Sequence, residues 1–133
     1  MIKGSCHCGN VHWSFDGVPA SCSTCNCTVC RRYGVLWAYD YVDELIKVDG
    51  ETSVYQRGDE FGGDIEFHFC AQCGCVAYWR GRNLKDDGRR RIAVNLRLSE
   101  PGLIMDIPIE RFDGLETFSD LPRDGRCVSD YWF

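Results

Sequence analysis

Hydrophobic and polar residues alternate with a period of two along much of the chain, which is typical of β-strands with one buried face. Three stretches carry the pattern, with apolar side chains at Val11, Trp13 and Phe15, at Ile65, Phe67 and Phe69, and at Ile92, Val94 and Leu96. Segments 35–41, 52–57 and 75–80 are also strand-like. Glycines between these runs indicate short turns, so the pattern predicts an antiparallel, mainly β protein.

Helical periodicity is scarce. The best candidate is a turn or two that starts near Thr28 and ends at Gly34, a glycine well placed for a helix C-cap. The segment "VDEL" (42–45) is a candidate for one further turn. The chain has 133 residues and no repeat or Pro/Ser-rich linker, so we expect a single domain over residues 1–133.

Cysteine is the residue type that changes this picture. Seven of the ten cysteines fall into three tight groups: Cys6-x-Cys8, Cys25-x-Cys27-x-x-Cys30 and Cys70-x-x-Cys73. The sequence shows neither a signal peptide nor a membrane span, so we expect a cytoplasmic protein with no membrane partner. In that reducing compartment, clustered cysteines are more often metal ligands than disulfides.

The spacing within the groups indicates zinc, because thiolates two or three residues apart can converge on one ion at about 2.3 Å. The two pairs Cys6, Cys8, Cys70 and Cys73 make one complete tetrahedral site. The triplet Cys25, Cys27 and Cys30 leaves a fourth position for water or substrate, as catalytic zinc sites do. The sequence therefore predicts two zinc ions per chain, one structural and one catalytic.

Other residues leave alternatives open. Cys22 or His7 could close the second site and make it purely structural. Cys75 and Cys127 are expected to be small core side chains or free thiols. His12 and His68 lie within strand patterns, where we expect packed or surface residues rather than ligands.

The charge pattern argues against a nucleic-acid partner, because the formal net charge is -5 and phosphate binding needs an excess of basic residues. Arginine nevertheless outnumbers lysine, and its planar fork suits carboxylates. The run "DDGRRR" (86–91) is interpreted as a solvated turn. Arg31 and Arg32 follow the last cysteine of the triplet directly, which makes them candidates for binding an anionic ligand.

Taken together, the motifs "GSCHCGNVHWSF" (4–15), "CNCTVCRRYG" (25–34) and "FHFCAQCGCVAYW" (67–79) resemble the glutathione-dependent formaldehyde-activating enzyme family, which includes centromere protein V. The segment "AVNLRLSEP" (93–101) is also similar to that family, and the resemblance covers roughly residues 3–98. It implies small, curved, β-tent-like antiparallel sheets stapled by zinc. It also implies a structural role for the four paired cysteines and a catalytic role for the triplet.

The resemblance further implies a carbon–sulfur lyase that forms S-(hydroxymethyl)glutathione from glutathione and formaldehyde. A thiol coordinated to zinc is deprotonated, which activates its sulfur. Arg31 and Arg32 are the candidates for binding the carboxylates of glutathione. Successive helical residues diverge by about 100°, so we expect only one of the two to face the site, and Arg32 is favoured. Tyr33, Trp37 and Tyr39 are candidates for a pocket wall or for the core.

Two alternatives stay open on the sequence alone. One is a zinc-stabilised binding module without turnover. The other is a related enzyme that uses another thiol or aldehyde, since one fold can host varied chemistry.

Overall fold

The computed structural model describes residues 1–57 and 63–132. It confirms the predicted mainly β fold, with 41% strand and 12% helix. The strands in these residues are β1 Ile2–Ser5, β2 His12–Phe15, β3 Cys22–Cys25, β4 Trp37–Tyr41, β5 Ile46–Asp49, β6 Ser53–Gln56, β7 Ile65–Phe69, β8 Val76–Gly81, β9 Arg91–Asn95, β10 Ile109–Asp113 and β11 Ser119–Leu121. The helices are α1 Cys30–Tyr33, α2 Pro101–Ile104 and α3 Val128–Trp132, with a 3₁₀ turn at Leu96–Leu98.

The strands form two sheets. The smaller has three strands in the order β1-β2-β5, and the larger has eight in the order β11-β10-β3-β4-β9-β8-β7-β6. Neighbouring described strands are antiparallel except β3 and β10, which run parallel from the pair Cys22 and Ile109 to the pair Cys25 and Phe112. This pair joins the C-terminal part of the chain to the strand that leads into the cysteine triplet.

Both faces of the larger sheet are buried over its central strands. One face packs against the smaller sheet in the main core, which contains Ile92 and Val94 of β9. Ala93 points to the opposite face and is also fully buried, in a second apolar cluster with Phe67 and Trp79. The alternation in 92–96 predicts only one buried face, and Leu96 lies in the 3₁₀ turn rather than in the strand.

The predicted helix before Gly34 is present but short. Gly34 closes α1 with φ 64°, and its N–H donates to the carbonyl of Cys30 at 3.0 Å. The segment 42–45 forms a tight turn in which Asp43 has φ 64°. The run 86–91 begins as a solvated turn, as expected, with Asp87 paired to Arg89 at 2.8 Å. Its last residue departs from that expectation, because Arg91 begins β9 and its guanidinium lies over the ring of Trp79. None of the helices in the described ranges has the length and apolar character needed to span a bilayer.

Candidate metal centres and the adjoining cavity

The four-cysteine cluster consists of Cys6, Cys8, Cys70 and Cys73, whose sulfurs all lie within 4.8 Å of one another. The Sγ atoms of Cys6 and Cys8 are 3.6 Å apart, and those of Cys8 and Cys70 are 3.5 Å apart. Four thiolates at about 2.3 Å from a tetrahedral ion are separated by about 3.8 Å. The cluster therefore fits a tetrahedral metal ion, and it links the β1–β2 connection to the β7–β8 turn.

Each half of this cluster is built by the same backbone turn. The N–H of Cys6 donates to the carbonyl of Val11 at 2.9 Å, and the N–H of Cys70 donates to that of Cys75 at 3.0 Å. A glycine with positive φ follows the second cysteine of each half, Gly9 with 85° and Gly74 with 79°. The N–H of Val11 also donates to the sulfur of Cys6 at 3.2 Å, a contact that stabilises a thiolate.

The three-cysteine cluster consists of Cys25, Cys27 and Cys30, again with all sulfurs within 4.8 Å of one another. An N–H group donates to each sulfur: Cys27 to Cys25 at 3.5 Å, Cys30 to Cys27 at 3.3 Å, and the indole of Trp37 to Cys30 at 3.4 Å. Hydrogen bonds from the thiols of Cys25 and Cys30 hold the pKa of Cys27 well below its ordinary value. These donors suit a metal ion with three protein ligands.

Cys22 lies outside this cluster. It is on β3 three residues before Cys25, so the two side chains point to opposite faces of the sheet. Cys22 is 1% exposed in the main core, and its thiol donates to the carbonyl of Pro108 at 3.6 Å. Burial raises the pKa of Cys22 to about 12, which keeps it a neutral thiol.

The remaining candidates also lie apart from the three sulfurs. In the described residues, neither His7 nor Cys22 joins the ligand group of the triplet. His68 is buried, stacks on Tyr78 with ring centroids 4.4 Å apart and hydrogen-bonds to Thr52 through Nδ1 at 2.7 Å. Its role is packing, as the sequence predicts.

A cavity of about 600 Å³ opens beside the three-cysteine cluster, on the face of the larger sheet that points away from the main core. Its volume is in the range of small-molecule pockets. Its aromatic lining residues are Trp37, Tyr39, Phe67, Trp79, Phe112 and Phe118. Its charged lining residues are Arg57, Asp64, Arg91, Glu110 and Asp120. Trp37 and Tyr39 therefore line a pocket, whereas the ring of Tyr33 packs on that of Phe67, with centroids 5.3 Å apart.

The arginines in the cavity differ from those favoured by the sequence. The structure does not place Arg31 and Arg32 in the cavity lining; both are exposed, and Arg32 donates to the carbonyl of Thr28 at 2.7 Å. Arg57 and Arg91 line the cavity instead. Cys30 is the buried residue of α1, and the two residues that follow it, Arg31 and Arg32, project outward.

Sequence reasoning missed Arg57, Arg91 and the lining residues of the C-terminal segment. Arg57 follows β6, and its guanidinium donates to the hydroxyl of Thr28 at 3.0 Å. Arg91 begins β9, and the carbon of its guanidinium lies 5.1 Å from the ring centroid of Trp79. No local motif marks either residue, because only the order of strands in the larger sheet brings them to the cavity beside the three-cysteine cluster.

A mainly β scaffold with two cysteine clusters, one of them facing a cavity, defines a protein with two candidate metal centres. The chain belongs to the glutathione-dependent formaldehyde-activating enzyme family, whose model matches residues 1–101. This confirms the resemblance inferred from the motifs. The match includes both cysteine clusters and stops before the C-terminal segment that completes the cavity.

A crystal structure of a Rhodobacter sphaeroides protein, solved as a structural genomics target, has a similar fold. It is 23% identical and superposes with a TM-score of 0.58, covering 81% of this chain and 99% of that chain. At this level of identity the likeness concerns the fold. No curated protein is significantly similar in sequence to the chain.

Proposed function

We propose that the protein is a zinc-dependent carbon–sulfur lyase that acts on thiol–aldehyde adducts. The family points to S-(hydroxymethyl)glutathione, formed from glutathione and formaldehyde, as its substrate. The observation that carries the proposal is the three-sulfur cluster at the cavity wall. A set of three or four thiolates at tetrahedral spacing favours zinc among the common divalent ions.

The two clusters take different roles in this proposal. The four-cysteine cluster supplies all four ligands of a tetrahedral ion and acts as a structural staple. The three-cysteine cluster leaves one position for a substrate thiol. Cys25, Cys27 and Cys30 would hold a zinc ion here, which would lower the pKa of a substrate thiol bound at the open position.

The reaction joins the thiol sulfur to the aldehyde carbon. The carbon–sulfur bond forms as the π electron pair of the carbonyl moves to its oxygen, and that oxygen takes up a proton equivalent to the one the thiol released. The lyase direction reverses these steps. The protein's contribution is to hold sulfur and carbon at reacting distance inside the cavity.

Cavity side chains are assigned roles by their chemistry. Arg57 and Arg91 are suited to bind the carboxylates of a glutathione-like thiol, since each presents a planar guanidinium. Tyr39 lines the cavity and is 43% exposed, and its hydroxyl, which is protonated near neutral pH, can donate to the aldehyde oxygen. The roles predicted for Arg31 and Arg32 would require a ligand that extends out of the cavity.

A reducing environment suits this chemistry, because ligand thiols must stay unpaired. All ten cysteines are free, which supports the cytoplasmic location predicted from the sequence. Oxidation of either cluster would remove its metal ligands.

Exchange NMR on the zinc-loaded protein with glutathione and formaldehyde tests the proposal. An enzyme raises the rate of interconversion at equilibrium in proportion to its concentration, whereas a binding module only shifts the populations. We expect enhancement in the native protein and none in Cys27→Ser. If the native protein gives no more than the background rate, glutathione and formaldehyde are not its substrates. If it then accelerates another thiol–aldehyde pair, the proposed reaction stands with a different substrate.

A further inference from the structure

The C-terminal hairpin β10–β11 lies outside the stretch that matches the family and nevertheless forms one wall of the cavity. β10 pairs in parallel with β3, next to the three-cysteine cluster. The lining residues from this hairpin and its loop are Glu110, Phe112, Gly114, Phe118 and Asp120. This wall is therefore built by residues beyond the stretch that the family model matches.

The hairpin loop is fixed to the cysteine motif by hydrogen bonds. Asn26, between Cys25 and Cys27, donates from its amide to the carboxylate of Asp113 at 3.0 Å and accepts from the N–H of Leu115 at 3.0 Å. The carboxylate of Asp113 also accepts from the hydroxyl of Thr117 at 2.9 Å. The loop is thus held in one position relative to the three sulfurs.

Phe118 stands at the end of this loop in an unusual state. Its backbone has φ 52°, which bulky residues rarely adopt, and its side chain is 75% exposed. Its ring meets Phe112 edge-on, with centroids 5.0 Å apart and planes at 80°. A large apolar ring is held in a strained conformation at the cavity opening, where it covers little of the protein's own surface.

Formaldehyde has only hydrogen on its carbonyl carbon, and glutathione is a polar, charged tripeptide. Neither would fill an aromatic wall beside the reacting sulfur. An adduct with a ring-sized apolar group next to its carbon–sulfur bond would bury both Phe112 and Phe118.

We propose that Phe118 is a specificity-determining residue that contacts an apolar, ring-sized substituent of the thiol–aldehyde adduct. The inference rests on the proposed reaction and extends its substrates beyond S-(hydroxymethyl)glutathione to adducts with an aromatic or similarly bulky group near the reacting carbon, which it expects to be preferred. That group belongs to either the aldehyde or the thiol. The bond changes are those given for the proposed reaction.

Binding of unreactive thioethers tests this without turnover. S-benzylglutathione and S-methylglutathione represent adducts of an aromatic and of a small aldehyde, and calorimetry on the zinc-loaded protein gives both dissociation constants. We expect the benzyl compound to bind about tenfold more tightly, as for a ring partly removed from water. In Phe118→Ala the preference should fall to about twofold or less, and Phe118→Tyr should retain it.

A second arm distinguishes the source of the apolar group. 2-Phenylethanethiol and 2-mercaptoethanol are compared in the same way, and a Phe118-dependent preference for the first alone assigns the ring to the thiol. Leu84→Ala is the matched control, because Leu84 is 58% exposed and does not line the cavity. Zinc content and circular dichroism verify that each variant is folded.

The possible results separate the two proposals. Phe118-dependent preference without any rate enhancement would leave the ligand class standing and remove the lyase activity. Turnover with equal binding of the small and ring-bearing probes, a preference unchanged in Phe118→Ala, or no binding of any probe would overturn the role of Phe118.

Discussion

Gly114 offers the sharpest test of how the hairpin loop and the three-cysteine cluster depend on each other. A Cβ atom at this position would lie 2.7 Å from the sulfur of Cys25 and 2.9 Å from the Cβ of Cys27. Ordinary contact begins at 3.4 Å, so in Gly114→Ala the Cys25 sulfur must retreat by about 0.7 Å or the loop must lift by a similar amount. Metal–ligand distances in well-formed sites lie within about 0.2 Å of their standard values, so a shift of this size is incompatible with unchanged coordination.

The expected result is selective loss of one metal. Changes to the residues that support metal ligands typically weaken metal binding by about 10- to 100-fold, and we expect a similar loss here. Overpacking costs about 1–3 kcal/mol of unfolding free energy. Chelator competition with two-site analysis should give two tight zinc ions in the native protein and one in Gly114→Ala, with the four-cysteine cluster still occupied.

Gly102→Ala is the matched control for this measurement. A Cβ at Gly102 in α2 has no neighbour within 4 Å, so both zinc ions should stay and stability should be equal or slightly higher. Two zinc ions of native affinity in Gly114→Ala would refute the contact between loop and cluster.

Two further predictions concern the rest of the molecule. Cys70→Ser should unfold or aggregate the protein, because a structural metal contributes folding free energy, whereas Cys27→Ser should keep the fold and lose activity. Thermal melts and zinc content of the two variants test this, and equal destabilisation would mean that both metal sites are structural. Burial lowers the pKa of His68, so the unfolded chain binds more protons and stability should fall as pH drops through about 6.5. Chemical denaturation between pH 7.5 and 5.5 should show that the unfolding free energy of His68→Gln depends less steeply on pH than that of the native protein. An unchanged slope would contradict the lowered pKa of His68.

The cysteine clusters were predictable from the sequence because their information is local. Short spacing forces Cys25, Cys27 and Cys30 together whatever the rest of the chain does, and the alternation around Trp13 requires one buried face. That the two cysteine pairs share one metal ion followed from the four ligands that a tetrahedral zinc site needs. The spacing within each group depends on neighbours within a few residues, whereas the two pairs meet across 62 residues.

The cavity was not predictable for the opposite reason. Arg57 and Arg91 reach it through the strand order of the larger sheet, which no local pattern encodes. Adjacency to Cys30 made Arg31 and Arg32 the obvious candidates, although a four-residue helix with one inward position has room for only one of its side chains at the site. The parallel β3–β10 pair likewise depends on a partner outside every recognised motif.

The hydrogen bond between Asn26 and Asp113 has a consequence for synthesis on the ribosome, since it joins residues 87 positions apart. The four-cysteine cluster is complete once Cys73 emerges, whereas the cavity wall needs the chain as far as Asp120. At about 5 to 20 residues per second the interval lasts about 2 to 9 s. During those seconds the sulfurs of Cys25 and Cys27 lack the loop that later covers them. The nascent chain therefore passes through a stage in which these two thiols are open to oxidants and to any competing metal.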